Sequence, residues 1–206
     1  MVVKNIIDNM LPSIWPMAAF ISLVAVTLRG AYLFKGNKRF VLHKELLSLI
    51  FIIYIICLYY ILMGQNDTVS GVNLVPFKEM FRYEFGSYKF IKNIVGNILI
   101  FIPFGFFASY YLTNRKISLI TLVTLIVSAC TEGLQYYLGR VFDIDDIILN
   151  IFGGFIGYLL YVGLSAIRSK LPKFMKSDAF MNILVILLII LIVVFSFDIN
   201  VINYLK

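Results

Sequence analysis

The sequence predicts an all-α integral membrane protein, a bundle of about six transmembrane helices. Three observations carry that prediction. Hydrophobic residues make up 61% of the chain and charged residues only 14%, where a water-soluble domain carries roughly 25% charge. The apolar residues fall into runs near the ~20 residues a helix needs to cross a bilayer, not the short alternating segments of a barrel. The basic residues collect in every second connection, as positive loops held in the cytoplasm do.

The runs are Ile14–Leu33, Glu45–Met63, Asn93–Leu112, Ile117–Leu138, Ile147–Ile167 and Asn182–Phe197. The first is too long for a cleaved signal peptide, and no small-residue cleavage site follows it. Residues 14–33 and 182–197 read as flanking anchors. Leu184 to Val194 contains only Leu, Ile and Val and offers little chemistry. No repeat or soluble segment interrupts residues 1–206, which read as a single membrane domain.

The net charge of +7 does not imply nucleic acid, because its distribution is a topology signal. Arg29, Lys35, Lys38, Arg39 and Lys44 follow the first span. Arg115 and Lys116 follow the third, and Arg168, Lys170, Lys173 and Lys176 follow the fifth. Only Glu45 and Asp178 oppose them there. This arrangement puts these loops in the cytoplasm of a multi-pass plasma-membrane protein and both termini outside, with membrane lipid headgroups as partners. Cys57 and Cys130 fall within spans, which argues against a disulfide framework. His43, the only histidine, lies on the inner side, so histidine chemistry is excluded from the outer face. Trp15, Tyr59, Tyr60, Tyr110, Tyr111, Tyr136 and Tyr137 sit near span ends, as an interfacial aromatic belt does.

The long outer loop, Gly64 to Lys92, opens with the polar residues Gln65, Asn66, Asp67 and Thr68. It continues through Asn73 to Pro76 and then places Phe77, Phe81 and Phe85 four apart, with Lys78 and Arg82 on another side. That spacing predicts an amphipathic helix lying in the outer interface. A plain connector whose aromatics pack on the bundle is the alternative.

The chemistry concentrates at the outer ends of three spans. Asn97 lies about a turn inside the third, whose Pro103 should kink it. Glu132 and Gln135 share a face near the end of the fourth. Arg140, Asp143, Asp145 and Asp146 occupy the connecting turn, and Asn150 follows on the fifth with Gly153 and Gly157 on its face. Ionisable groups at membrane depth are costly and seldom sit there without purpose. The expectation is an outward-facing, ligand-binding pocket built from Asn97, Glu132, Gln135, Arg140, Asp143, Asp145, Asp146 and Asn150. Structural roles compete with it. Gly139 could end the fourth span, Asp143 or Asp145 could cap the fifth, Arg140 could pair with an aspartate, and the asparagines could join helices.

Asn73-Leu74-Val75-Pro76-Phe77, Asn97-Ile98-Leu99-Ile100-Phe101-Ile102-Pro103-Phe104-Gly105, Glu132-x-x-Gln135, Arg140-x-x-Asp143-x-Asp145-Asp146 and Asn150-x-x-Gly153 together resemble the VanZ-like family. The resemblance covers residues 54–161, the four central spans. It implies action at the outer face of the cell envelope and lowered susceptibility to teicoplanin-type lipoglycopeptides. It supplies no catalytic residues. Three functions follow. The first is binding of a lipid-linked ligand, such as a cell-wall precursor or the lipoglycopeptide itself, with Asn73, Pro76, Phe77, Phe81 and Phe85 as the interfacial surface. The second is an enzyme acting on a lipid or lipid-linked phosphate. There Asp143, Asp145 and Asp146 would hold a divalent cation through oxygen ligands, and Glu132 would be the candidate catalytic acid or base. The third is a transporter, disfavoured because no inverted repeat is evident.

Overall fold

The computed structural model describes residues 16–17, 19–32, 40–63, 71–112 and 116–204, with backbone alone for residue 193 and residues 195–204. Ile14, Trp15 and Leu33 of the first span lie outside the described residues. So do the loop cations Lys35, Lys38, Arg39 and Arg115 and the polar stretch Gln65 to Thr68.

Six helices account for most of the described chain: α1 (Ala19–Tyr32), α2 (Leu42–Met63), α3 (Tyr88–Tyr111), α4 (Ile117–Tyr137), α5 (Ile144–Lys170) and α6 (Asp178–Tyr204). Four of them, α2 to α5, are long and apolar enough to cross a membrane. The fold is therefore all-α, in keeping with a membrane protein. The expected spans at 45–63, 93–112, 117–138 and 147–167 match these helices to within a few residues at most ends. Two short strands, β1 (Gly71–Asn73) and β2 (Val141–Asp143), pair in parallel. No alternating apolar pattern announces strands this short.

The chain forms two compact units. The first comprises the described residues up to Ile61 together with those from Leu171 onwards. Within it, the Arg29 guanidinium of α1 forks onto the Glu45 carboxylate in the first turn of α2, at 2.8 and 3.0 Å. The buried His43 donates its backbone N–H to Asn182 Oδ1 of α6 at 2.9 Å, and its ring Nδ1 lies 3.1 Å from the same oxygen. The histidine thus has a joining role.

The second unit, Leu62–Lys170, holds α3, α4 and α5. Here α5 packs on both other helices, and glycine sets how closely. A Cβ on Gly153 or Gly157 would overlap the backbone of Ile98 or Ile102 on α3, and one on Gly105 would overlap the backbone of Gly154. A Cβ on Gly154 would come within 2.7 Å of the Thr124 side chain of α4. Small residues four apart allow this approach, and dispersion between the backbones then holds the helices together where no water is available to drive them. Around this seam Phe101 is fully buried, and Phe104 packs against it with ring centroids 5.8 Å apart.

Three hydroxyls around the seam are satisfied along their own helices. The Ser109, Thr124 and Thr131 hydroxyls donate to carbonyls four residues back, at 2.6, 2.8 and 2.9 Å. Helix α3 runs through Pro103 without interruption. Its irregular backbone lies earlier, a π turn over Ile91–Val95 in which the Gly96 N–H reaches back to the Ile91 carbonyl.

Replacing Gly105 by Ala should lower stability by about 1–3 kcal/mol, because the added methyl group meets backbone that cannot rotate away. Gly133 faces open space, and alanine there should leave stability unchanged. Thermal unfolding of the two variants in detergent checks the contrast.

Candidate functional site

The N-terminal ends of α3 and α5 meet the C-terminal end of α4, and the expected polar residues gather there. Helix α4 closes with Gly139 at φ +85°. The Arg140 N–H returns to the Gln135 carbonyl and the Gly139 N–H to the Tyr136 carbonyl, both at 3.0 Å. These are the two bonds of a Schellman cap, which needs a left-handed residue and therefore favours glycine. The turn delivers Arg140 into β2.

Among the described residues Arg140 pairs with no aspartate. Its Nη1 donates to the Leu62 carbonyl at 2.7 Å, and the buried Gln135 Nε2 donates to the same oxygen at 2.7 Å. Leu62 lies in the last turn of α2, where carbonyls have no helical partner and a cation is favoured. Gln135 and Arg140 thus close a helix end. The sequence could not show this, because the acceptor is a backbone group more than 70 residues away.

Each aspartate in the turn has a different task. Asp143, immediately before α5, accepts the Asp145 N–H at Oδ1 (2.9 Å) and so caps the helix. The same oxygen accepts the Asn73 amide at 2.8 Å, and the β1–β2 register sets Asn73 opposite Asp143. Burial pushes the Asp143 carboxyl above the usual carboxylate range, opposed by the hydrogen bonds from Asp145 and Asn73.

Asp145 is 2% exposed and gathers the preceding loop. Its Oδ1 accepts the Phe77 N–H, and its Oδ2 accepts those of Glu79 (2.8 Å) and Met80 (3.2 Å). Successive backbone donors folded around an anion form a nest. Phe77 takes a positive φ of 67° to complete it, a conformation costing a side-chain-bearing residue about 1–2 kcal/mol. Asp146 accepts the Asn97 amide at 2.6 Å.

These engagements bear on the divalent-cation expectation for Asp143, Asp145 and Asp146. Among the described residues no three Asp, Glu, His or Cys side chains converge as metal ligands. Asp143 is occupied by the cap and Asn73, and Asp145 spends both oxygens on backbone N–H groups.

Glu132 on α4 is 2% exposed and accepts the Asp143 N–H at 3.1 Å. Asn150 on α5 is 1% exposed and donates through Nδ2 to Ser128 Oγ on α4 at 2.9 Å. The structure therefore brings Asn97, Glu132, Asp143, Asp145, Asp146 and Asn150 to one end of the bundle and gives Gln135 and Arg140 to Leu62. Ser128 is the participant that sequence reasoning missed. Its position one turn before Glu132 on the same face was the available signal.

The loop differs from the amphipathic helix expected across Phe77, Phe81 and Phe85. A turn containing Pro76 leads into a single 3-10 turn at Met80–Arg82. The Asp145 nest holds the Phe77, Glu79 and Met80 N–H groups in a pattern that a regular helix could not present. The aromatics do not pack into the bundle either. Phe81 is 86% and Phe85 93% exposed, and their ring contacts among the described residues are with Phe77 (to Phe81 at 6.5 Å) and Phe90 (to Phe85 at 5.0 Å).

Replacing Asp145 by Ala orphans three backbone donors and should cost about 3 kcal/mol or more. It should also make the segment at 71–85 newly sensitive to protease while α3, α4 and α5 remain protected. Limited proteolysis followed by mass mapping reads both effects.

The VanZ/LLP1 family model matches residues 51–168, which takes in the whole second unit but for its last two residues. Protein VanZ of Enterococcus faecium is 29% identical over 154 residues, covering 74% of this chain and 90% of that protein. No solved structure matches. The family match spans more than half of the chain and contains every residue of the polar cluster, and on this ground the chain belongs to the VanZ/LLP1 family.

Proposed function

We propose that this protein acts at the outer face of the plasma membrane by binding a lipid-linked ligand, and that it thereby lowers susceptibility to teicoplanin-type lipoglycopeptides. The ligand is a cell-wall precursor or the lipoglycopeptide's own acyl chain. In this reading all six helices span the membrane, both termini lie outside, and the polar cluster with its loop faces outward, as the basic loops require.

The observation that carries the reading is the clasped loop. Asp145 fixes a segment whose Val72, Leu74, Val75, Phe77, Phe81 and Phe85 are all exposed. An apolar surface of that extent, held in place and not merely loose, suits the boundary between headgroups and acyl chains. Membership in the VanZ/LLP1 family supports the resistance role.

The test is susceptibility of a sensitive host carrying this chain, Phe81→Ser combined with Phe85→Ser, or Glu132→Gln, at matched membrane levels. Teicoplanin protection of several-fold with unchanged vancomycin response is expected from the native chain. It should be lost in the double phenylalanine variant, because the acyl-facing surface is gone while the cluster is intact. Absence of protection from the native chain would sink the resistance role.

A further inference from the structure

Two helix faces meet in matching order beneath the loop. On α5, Asp146 and Asn150 are four residues apart; on α4, running the opposite way, Glu132 and Ser128 are four apart. The 2.9 Å bond from Asn150 Nδ2 to Ser128 Oγ fixes the register, so Glu132 and Asp146 form the next rung, about one 5.4 Å turn away. Asn97 of α3 closes the same rung from the side by donating to Asp146.

These groups have more acceptor capacity than the described residues fill. Asn150 Oδ1 is the buried side-chain oxygen without a hydrogen-bond partner among the described residues. Glu132 accepts one protein hydrogen bond and Asp146 one, where a carboxylate offers roughly four sites. Among the described residues no ion pair reaches either carboxylate, and Arg140, the cation of the turn, gives its hydrogen bond to the Leu62 carbonyl. An amide oxygen stranded at 1% exposure is costly until a donor or a cation meets it.

We propose that Glu132, Asp146 and Asn150 Oδ1 form a partly buried site for one hard divalent cation of the magnesium or calcium class. All the donors are oxygens, which selects such ions over the softer transition metals. Side chains four apart on a helix can converge on a single ion, and here each of two facing helices contributes to the cage. Two carboxylates balance a double positive charge, which matters where the dielectric is low. Ser128 holds the Asn150 amide so that its oxygen stays available. Of the aspartate turn only Asp146 takes part, because Asp143 and Asp145 are spent on the cap and the nest, and the site stands independently of the envelope role.

The experiment uses the full chain purified in detergent, stripped with a chelator and exchanged into metal-free buffer. Thermal unfolding is followed against calcium chloride, magnesium chloride and choline chloride at matched ionic strength. A saturable rise in midpoint with a divalent salt but not with choline is expected, since a ligand that binds only the folded state raises its stability. The apparent affinity should weaken at least about tenfold in Glu132→Gln and in Asn150→Leu. Equal responses to all three salts in the native chain would overturn the site, leaving a buried water as the partner of Asn150. So would a divalent response that persists unweakened in both variants. Should the variants fail to fold, infrared difference spectra of the native chain decide. Added calcium or magnesium must shift the carboxylate stretching bands, and unchanged bands would overturn the proposal.

Discussion

Asp145 is the interaction on which the functional end of this protein depends. A buried carboxylate is tolerable only when its lone pairs are filled, and here backbone N–H groups from Phe77, Glu79 and Met80 fill them. One side chain in the first turn of α5 therefore dictates the path of a loop more than 60 residues earlier. The shape of the nest decides that the loop is a turn and not a helix, places Phe77 in the left-handed region, and leaves Phe81 and Phe85 pointing away from the bundle. Asn73 repeats the logic one step away, tying β1 to the residue that caps α5.

The arrangement rests on a seam that leaves little freedom. Gly105, Gly153 and Gly157 bring α3 and α5 to backbone contact, and Gly154 seats α5 against the Thr124 side chain of α4, which limits the depth and rotation of these helices against one another. Only at that spacing can Asn150 reach Ser128 and Asn97 reach Asp146. Close packing and polar geometry are thus one constraint. The glycines supply no chemistry, yet the positions of Glu132, Asp146 and Asn150 follow from them.

The polar residues divide by how their hydrogen bonds are used. Gln135 and Arg140 end α2, Asp143 begins α5, and Asp145 shapes the loop. Their side chains are committed to backbone groups that would otherwise be left without partners in a medium that supplies none. Glu132, Asp146 and Asn150 are less committed. Dense charge at the end of a membrane bundle is therefore not by itself a measure of a site. The unfilled acceptor capacity of particular oxygens distinguishes scaffold from candidate ligand.

The sequence by itself determined the helical architecture and the family, and its six expected spans include the four long apolar helices of the structure. These are local or periodic properties. Hydrophobic run length defines a span, Gly139 marks a helix end because only glycine takes φ +85° without cost, and spacing places Asn150, Gly153 and Gly157 on one face. The tertiary structure alone decided what each polar residue does. The β1–β2 pairing joins segments 70 residues apart, the Leu62 carbonyl recruits Gln135 and Arg140, and the Asp145 nest displaced the helix that the Phe77, Phe81 and Phe85 spacing predicted. Backbone donors and acceptors carry no signature in a sequence, because every residue has them. Which of them a side chain satisfies is settled only when the helices pack.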